Sequence, residues 1–150
     1  MLSAVYCNPQ RGPEVNHNLI KLEPGLYLVA TPLGSARDIT LRALDILASA
    51  DVLAAEDTRT ARKLLDIHGV PLAGRRIIAY HDHSQAKDRQ KLLQHVVEGK
   101  SVAYVSEAGT PLIADPGYQL VADARREGLT ILSAPGPAAC IAALTVAGLP

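Results

Sequence analysis

Apolar and polar positions along this chain fall into five similar units. Each is a short apolar run that ends in a polar loop containing glycine, proline or charge, followed by an amphipathic stretch. The runs are 26–31, 52–55, 77–80, 102–105 and 129–132, and the loops after them begin Pro32-Leu33-Gly34-Ser35, Glu56-Asp57-Thr58-Arg59, His81-Asp82-His83-Ser84, Ser106-Glu107-Ala108-Gly109-Thr110-Pro111 and Ala134-Pro135-Gly136-Pro137. Runs of this length bounded by turn residues read as strands, and strands alternating with helices read as a parallel sheet. The expected fold is therefore α/β: an open, mostly parallel five-stranded sheet with helices on both faces. All five loops then emerge at the carboxyl edge of the sheet, where open α/β folds place their ligands.

The amphipathic stretches carry their own punctuation. Asp38 is positioned to cap a first helix with Leu41, Leu44, Ile46 and Leu47 facing inward. Thr58 opens a second, whose Ala61, Leu64, Leu65 and His68 share a face and whose stop is Gly69. Ser84 is the expected cap of a third, with Leu92, Leu93, Val96 and Val97 inward and Gly99 beyond its end. A fourth spans about 118–127 and stops at Gly128, and a fifth, small and apolar, follows Pro137. Residues 1–24 have no sustained period and contain Asn8-Pro9 and Gly12-Pro13, so they read as a loosely ordered leader to a domain spanning 25–150. The closing Gly148-Leu149-Pro150 reads as a helix stop and linker, which raises the expectation of a further domain outside these residues.

Composition narrows the partners. Fifteen basic residues balance fifteen acidic ones, so any attraction to nucleic acid or an anionic membrane has to be local. Phe and Trp are absent, which argues against a base-stacking platform and leaves RNA contact, if made, to backbone and shape. Cys7 and Cys140 lack metal-like or redox-like spacing, and Cys140 is expected in the core. With no apolar stretch near the roughly 18 residues of a membrane span, the expectation is a soluble, cytoplasmic protein without a membrane partner.

Several residues at the strand ends admit two readings. Gly34 and Gly109 suit either a close approach to a ligand or an ordinary turn, and neither loop matches the dinucleotide fingerprint or the phosphate-binding P-loop. Glu56, Asp57 and Arg59 suit either helix capping or a substrate contact. His81 and His83, two apart, would share a face in an extended segment; without a third ligand at recognisable spacing, substrate contact or base duty fits better than a metal. Arg59, Arg62 and Lys63, then Arg75 and Arg76, then Lys87, Arg89 and Lys91 form basic clusters, a pattern that usually marks a solvated helix surface.

Taken together, the segments Leu28-Val29-Ala30-Thr31-Pro32-Leu33-Gly34, Asp38-Ile39-Thr40-Leu41-Arg42-Ala43-Leu44, Ala54-Ala55-Glu56-Asp57-Thr58-Arg59, Tyr80-His81-Asp82-His83, Val105-Ser106-Glu107-Ala108-Gly109-Thr110-Pro111-Leu112-Ile113-Ala114-Asp115-Pro116-Gly117 and Pro135-Gly136-Pro137 resemble, in order and spacing, the amino-terminal domain of the ribosomal RNA small subunit methyltransferase I family. That family lies within the tetrapyrrole methylase superfamily, and the pairing of Glu-Asp-Thr-Arg with Ala-Gly-Thr-Pro separates it from porphyrin-type relatives. The resemblance implies methyl transfer from S-adenosylmethionine to the 2′-hydroxyl of a cytidine in small-subunit (16S) ribosomal RNA. It further implies a homodimer of two-domain subunits, with the cofactor in the cleft between the domains and no metal.

Carried over residue by residue, the resemblance places Pro32, Gly34, Ser106, Glu107, Ala108, Gly109, Thr110, Ile113, Pro135 and Gly136 at the cofactor. It places Glu56, Arg59, His81 and His83 on the substrate side. Two positions depart from the family pattern: Glu107 stands where aspartate is typical, and Ser35 where asparagine is typical. A ribose hydroxyl is a poor nucleophile at neutral pH, so catalysis requires alignment and proton removal, for which Asp57, His81 and Glu107 are the candidate bases. The alternatives are a superfamily enzyme acting on a tetrapyrrole precursor or a protein side chain, and a non-catalytic interaction module with the same fold.

Overall fold

The computed structural model describes residues 16–81, 83–112 and 117–148. Five strands, β1 (Gly25–Val29), β2 (Val52–Ala55), β3 (Ile77–Ala79), β4 (Ser101–Val105) and β5 (Ile131–Ala134), alternate with five helices, α1 (Leu41–Ser49), α2 (Thr58–Ile67), α3 (Ala86–Val97), α4 (Gly117–Arg126) and α5 (Ala139–Val146). The sheet is wholly parallel with strand order β3-β2-β4-β1-β5.

Strand alternation explains why the apolar runs are continuous. Tyr27, Val29, Leu53, Ala55, Ala103 and Val105 enter one core with Ala43, Leu44, Ile46 and Leu47 of α1 and Ala61 and Leu65 of α2. Their neighbours Leu26, Leu28, Ala54, Val102 and Tyr104 enter a second core with Leu92, Leu93 and Val96 of α3 and Leu120 and Ala124 of α4. Both faces are covered, so the central strands read as nearly continuous apolar runs, with Ser101 at the start of β4 buried but hydrogen-bonded to Asp51. Each fully buried leucine contributes about 1.5–3 kcal/mol relative to exposure.

The path of the chain follows from right-handed crossovers. From β1 it moves through β2 to the β3 edge with α1 and α2 on one face. It then reverses to β4 and on to β5 with α3 and α4 on the other face. Because the chain leaves β1 and β4 in opposite directions, the crevice of this fold opens between their carboxyl ends.

Helix ends show how local sequence enforces these lengths. Gly69, Gly99 and Gly128 take positive φ, and the amides of Val70, Lys100 and Leu129 reach back to the carbonyls of Leu65, His95 and Ala124. These are Schellman closures of α2, α3 and α4 at the three glycines expected to stop them. The third closure makes Leu129 part of a helix cap, packed against the second core, so β5 starts two residues later than the apolar run.

Other expectations are corrected at the helix starts. Thr40, not Asp38, caps α1: its Oγ1 accepts from the Ala43 amide at 3.1 Å, while Ala36–Asp38 forms a separate 3-10 turn. Leu41 at the first helical position is 66% exposed rather than inward. Gln85, not Ser84, is the N-cap residue of α3, and its amide donates to Asp88; Val97, at the last turn, faces out. Segment 18–24 is tied down rather than loose: the Asn18 and Ile20 amides donate to Asp45 and Ser49 of α1, and Leu22 packs on the first core. Residues 1–15, with Cys7, lie outside the described residues.

Two basic residues that read as surface charge are structural. Arg75 donates from Nε, Nη1 and Nη2 to the carbonyls of Leu72, Leu47, Ala50 and Pro71, and its burial lowers its pKa. Arg89 of α3 pairs with the buried Asp123 of α4, which raises the arginine pKa and lowers the aspartate. Finally, α5 has no buried residue: Ile141, Leu144 and Val146 are exposed, as is Cys140, which was expected in the core.

Candidate functional site

A cavity of about 600 Å³ occupies the predicted crevice, lined by the loops after β1, β2 and β4 and by one face of α2. The loops are held by backbone geometry. Thr31 and Gly109 exchange reciprocal amide-to-carbonyl bonds of 2.9 and 3.0 Å, an antiparallel bridge between loops that follow neighbouring parallel strands. Ser106 Oγ donates to the Gly109 carbonyl at 2.8 Å, closing the turn from within, and Thr110 Oγ1 donates to the Pro137 carbonyl at 2.8 Å, joining the loop after β5.

Glycine is required at two of these positions for different reasons. Gly109 has φ +80°, and a Cβ there would lie 2.9 Å from Leu33 Cδ2. A Cβ on Gly136 would lie 2.9 Å from the Cβ of Ala30, so Gly136 lets the loop after β5 close against the residue that follows β1. Gly34 meets neither condition: its Cβ would point into open space. Leu112 also holds a left-handed φ of +75°, in the same loop as Gly109.

The expected cofactor residues therefore divide. Pro32, Gly34, Glu107, Ala108, Gly109 and Thr110 line the cavity, whereas Ser106 is buried beneath it as a turn strut. Pro135 and Gly136, in the loop after β5, do not line it. Ile113 lies outside the described residues.

The acidic residues after β2 have distinct jobs. Glu56 lines the cavity, and its Oε2 accepts the Glu107 amide at 3.1 Å, so it holds the neighbouring loop. Asp57 caps α2, accepting from the amides of Thr60 (3.2 Å) and Arg59 (2.7 Å), and these bonds hold its carboxyl below the usual range. Both cap bonds fall on Oδ1, and Asp57 does not line the cavity. Arg59 is exposed outside the cavity. His81 and His83 are also outside it, at the β3 edge, with ring centroids 6.0 Å apart and the Ser84 hydroxyl accepting the His81 amide. The loop after β3 is two strands away from β4, which is why these histidines do not meet Glu107.

Sequence reasoning missed Thr60, Lys63 and Ile67, which with Leu64 line the cavity from α2. Their i, i+3, i+4, i+7 spacing is a second stripe beside the core stripe of Ala61 and Leu65. Among the described residues no group of three or more His, Cys, Asp or Glu is arranged to hold a metal ion, and no helix is long and apolar enough to cross a membrane.

Fold and crevice define a doubly wound α/β protein with an open cavity at the switch point between β1 and β4. More narrowly, the chain belongs to the tetrapyrrole (corrin/porphyrin) methylase family, whose sequence profile matches residues 25–150. It is 54% identical over 129 residues to ribosomal RNA small subunit methyltransferase I of Mesorhizobium japonicum, covering 86% of this chain and 43% of that protein. The protein of the same name from Escherichia coli O157:H7 is 48% identical over 125 residues, covering 83% and 43% respectively. The chain thus spans less than half the length of these relatives. Among solved structures, uroporphyrin-III-C-methyltransferase from Thermus thermophilus superposes with a TM-score of 0.62 at 27% identity, covering 85% of this chain and 53% of that one.

Proposed function

We propose that this protein transfers a methyl group from S-adenosylmethionine to the ribose 2′-hydroxyl of a cytidine in small-subunit (16S) ribosomal RNA. The observation that carries the reading is the cavity at the β1/β4 switch point, built from the loops whose sequences resemble the methyltransferase I pattern. The residues present fit the cofactor. Pro32, Leu33, Ala36 and Leu64 offer apolar contact, Gly34 leaves open space beside the chain, and the Glu56 and Glu107 carboxylates complement positive charge. When bound, S-adenosylmethionine would supply a methyl group activated by its sulfonium, the S–C bond breaking as the methyl is transferred and neutral S-adenosylhomocysteine leaving.

The protein's share of the work is alignment and proton transfer. Glu56 fixes the Glu107 loop through its 3.1 Å bond. The Glu107 carboxylate has no hydrogen bond or ion pair among the described residues and lies on the cavity wall, which supports it, of the three candidates, as the base that would take the ribose proton. The proton then passes to water. Arg59, His81 and His83 lie outside the cavity, which supports contact with more distant parts of the substrate.

The same proposal includes a second α/β domain facing the open side of the cavity, homodimer formation and a cytoplasmic setting. The 43% coverage of the relatives and the exposed apolar α5 support the additional domain. The test is to incubate the whole gene product, and separately residues 1–150, with radiolabelled S-adenosylmethionine and unmodified small ribosomal subunits. Label in alkali-resistant dinucleotides containing 2′-O-methylcytidine is expected from the whole product only. Label passing instead to a tetrapyrrole precursor would refute the reading.

A further inference from the structure

Beside the cavity runs a second concavity of about 970 Å³ between α2 and the turn leading into β3. It is lined by Arg59, Arg62, Lys63, Arg75 and Arg76, against one carboxylate, Asp66, and floored by Ile67, Leu72 and Ile77. Lys63 and Ile67 line both concavities, so the two adjoin along α2. We propose that this basic groove holds the phosphates of an RNA strand and leads it past Lys63 into the cavity. The inference rests on the RNA substrate proposed above.

Three observations carry it. First, the charge is one-sided in a chain of balanced charge, and it is concave. Arg59, Arg62, Lys63 and Asp66 occupy one face of α2 at i, i+3, i+4 and i+7, opposite the buried Ala61 and Leu65. A merely solvated helix face has no reason to continue onto the next turn with the same sign, yet Arg76 extends it there.

Second, the cations are available. Lys63 and Arg76 make no ion pair among the described residues. Arg62 pairs with Asp66 at 3.1 Å, but at 55% and 63% exposure such a pair is weak and exchangeable. Arg75 is different: its donors are committed to four carbonyls, so it stiffens the turn that presents Arg76 and offers nothing to a ligand.

Third, the groove contains no aromatic side chain among the described residues, so its chemistry suits a phosphate backbone rather than stacked bases. A small anionic metabolite would need a closed pocket with converging donors. An open channel of spaced cations fits a polyanion instead.

The test uses the whole gene product with unmodified small ribosomal subunits and a single-stranded RNA oligonucleotide, measuring affinity across a salt series. The Arg62→Gln/Arg76→Gln double variant is expected to weaken RNA binding and to flatten the slope of log K against log salt by about 0.7 for each phosphate that the groove no longer neutralises. S-adenosylmethionine affinity and melting temperature should match wild type. Asp66→Asn, which neutralises the carboxylate of the groove, is expected to tighten RNA binding, a gain that misfolding cannot mimic. Unchanged slopes in both variants, with wild type binding RNA and methylating subunits, would overturn the groove and leave the proposed activity standing. A wild-type protein that neither binds RNA nor methylates subunits would overturn both.

Discussion

Replacing Gly109 with alanine tests the loop bridge directly. At φ +80° an L-residue is left-handed, a strain of roughly 1–2 kcal/mol. The new Cβ would also lie 2.9 Å from Leu33 Cδ2. Leu33 is 39% exposed and its methyl is the free end of a flexible side chain, so it can turn away at a cost of about 0.5–1.5 kcal/mol. The combined loss is about 1.5–3.5 kcal/mol, which for a domain of this size lowers the melting temperature by about 3–14 °C. Because Leu33 lines the cavity, its displacement should weaken S-adenosylmethionine binding as well. Gly34→Ala is the matched control: its Cβ meets nothing, so stability should hold within about 0.5 kcal/mol while cofactor affinity falls if the ligand approaches that backbone. Urea unfolding with linear extrapolation, paired with calorimetric titration, reads both quantities. Equal stability of Gly109→Ala and wild type, or an equal loss in Gly34→Ala, would refute the reasoning.

Other consequences concern separate parts of the molecule. Glu56→Ala should release the Glu107 loop and lower kcat on the order of 10²-fold, with Glu56→Gln, which keeps an acceptor oxygen, closer to wild type; single-turnover kinetics would distinguish them. Asp51 accepts from the Ser101 hydroxyl (2.7 Å) and amide (2.8 Å), bonds that hold its carboxyl below the usual range. Its stabilisation is therefore present above the unfolded-state pKa and is lost as pH falls through the lower folded value. Asp51→Asn should lower the melting temperature at pH 7 and flatten its fall under acid, and an unchanged pH profile would count against the clamp. Arg89→Met should lower the unfolding midpoint by leaving Asp123 without its buried partner. Arg126→Met, at a side chain 73% exposed, should change it little.

What could be read from the chain was whatever had a local cause. Apolar runs marked the strands because both faces of the sheet are covered, and Gly69, Gly99 and Gly128 marked helix ends because their closures need positive φ. Misplacements arose where two local signals competed: Leu129 is apolar like a strand residue but completes a cap, and Leu41 is apolar but sits at the first helical position, off the core. Strand order, and with it the separation of His81 from Glu107, has no local signature. Nor did the sequence reveal the roles of Arg75 and Arg89, since an arginine that bridges carbonyls or a buried carboxylate is written with the same letter as one in water. The α2 residues of the cavity were hidden by their proximity to a stronger apolar stripe, although their own spacing was helical.

The bridge between Thr31 and Gly109 has a consequence for how the site responds to heat, denaturant and ligand. Its two bonds join the chain beyond β1 to the chain beyond β4, so the platform exists only when the centre of the sheet is assembled. The amides of Thr31 and Gly109 should then exchange with solvent deuterium at the rate of the sheet core rather than of ordinary loops. A ligand seated on that platform selects the whole folded domain. At 100 times its dissociation constant it should add about 2.7 kcal/mol to global stability, and protection should rise together in β1 and β4 rather than at the cavity rim alone.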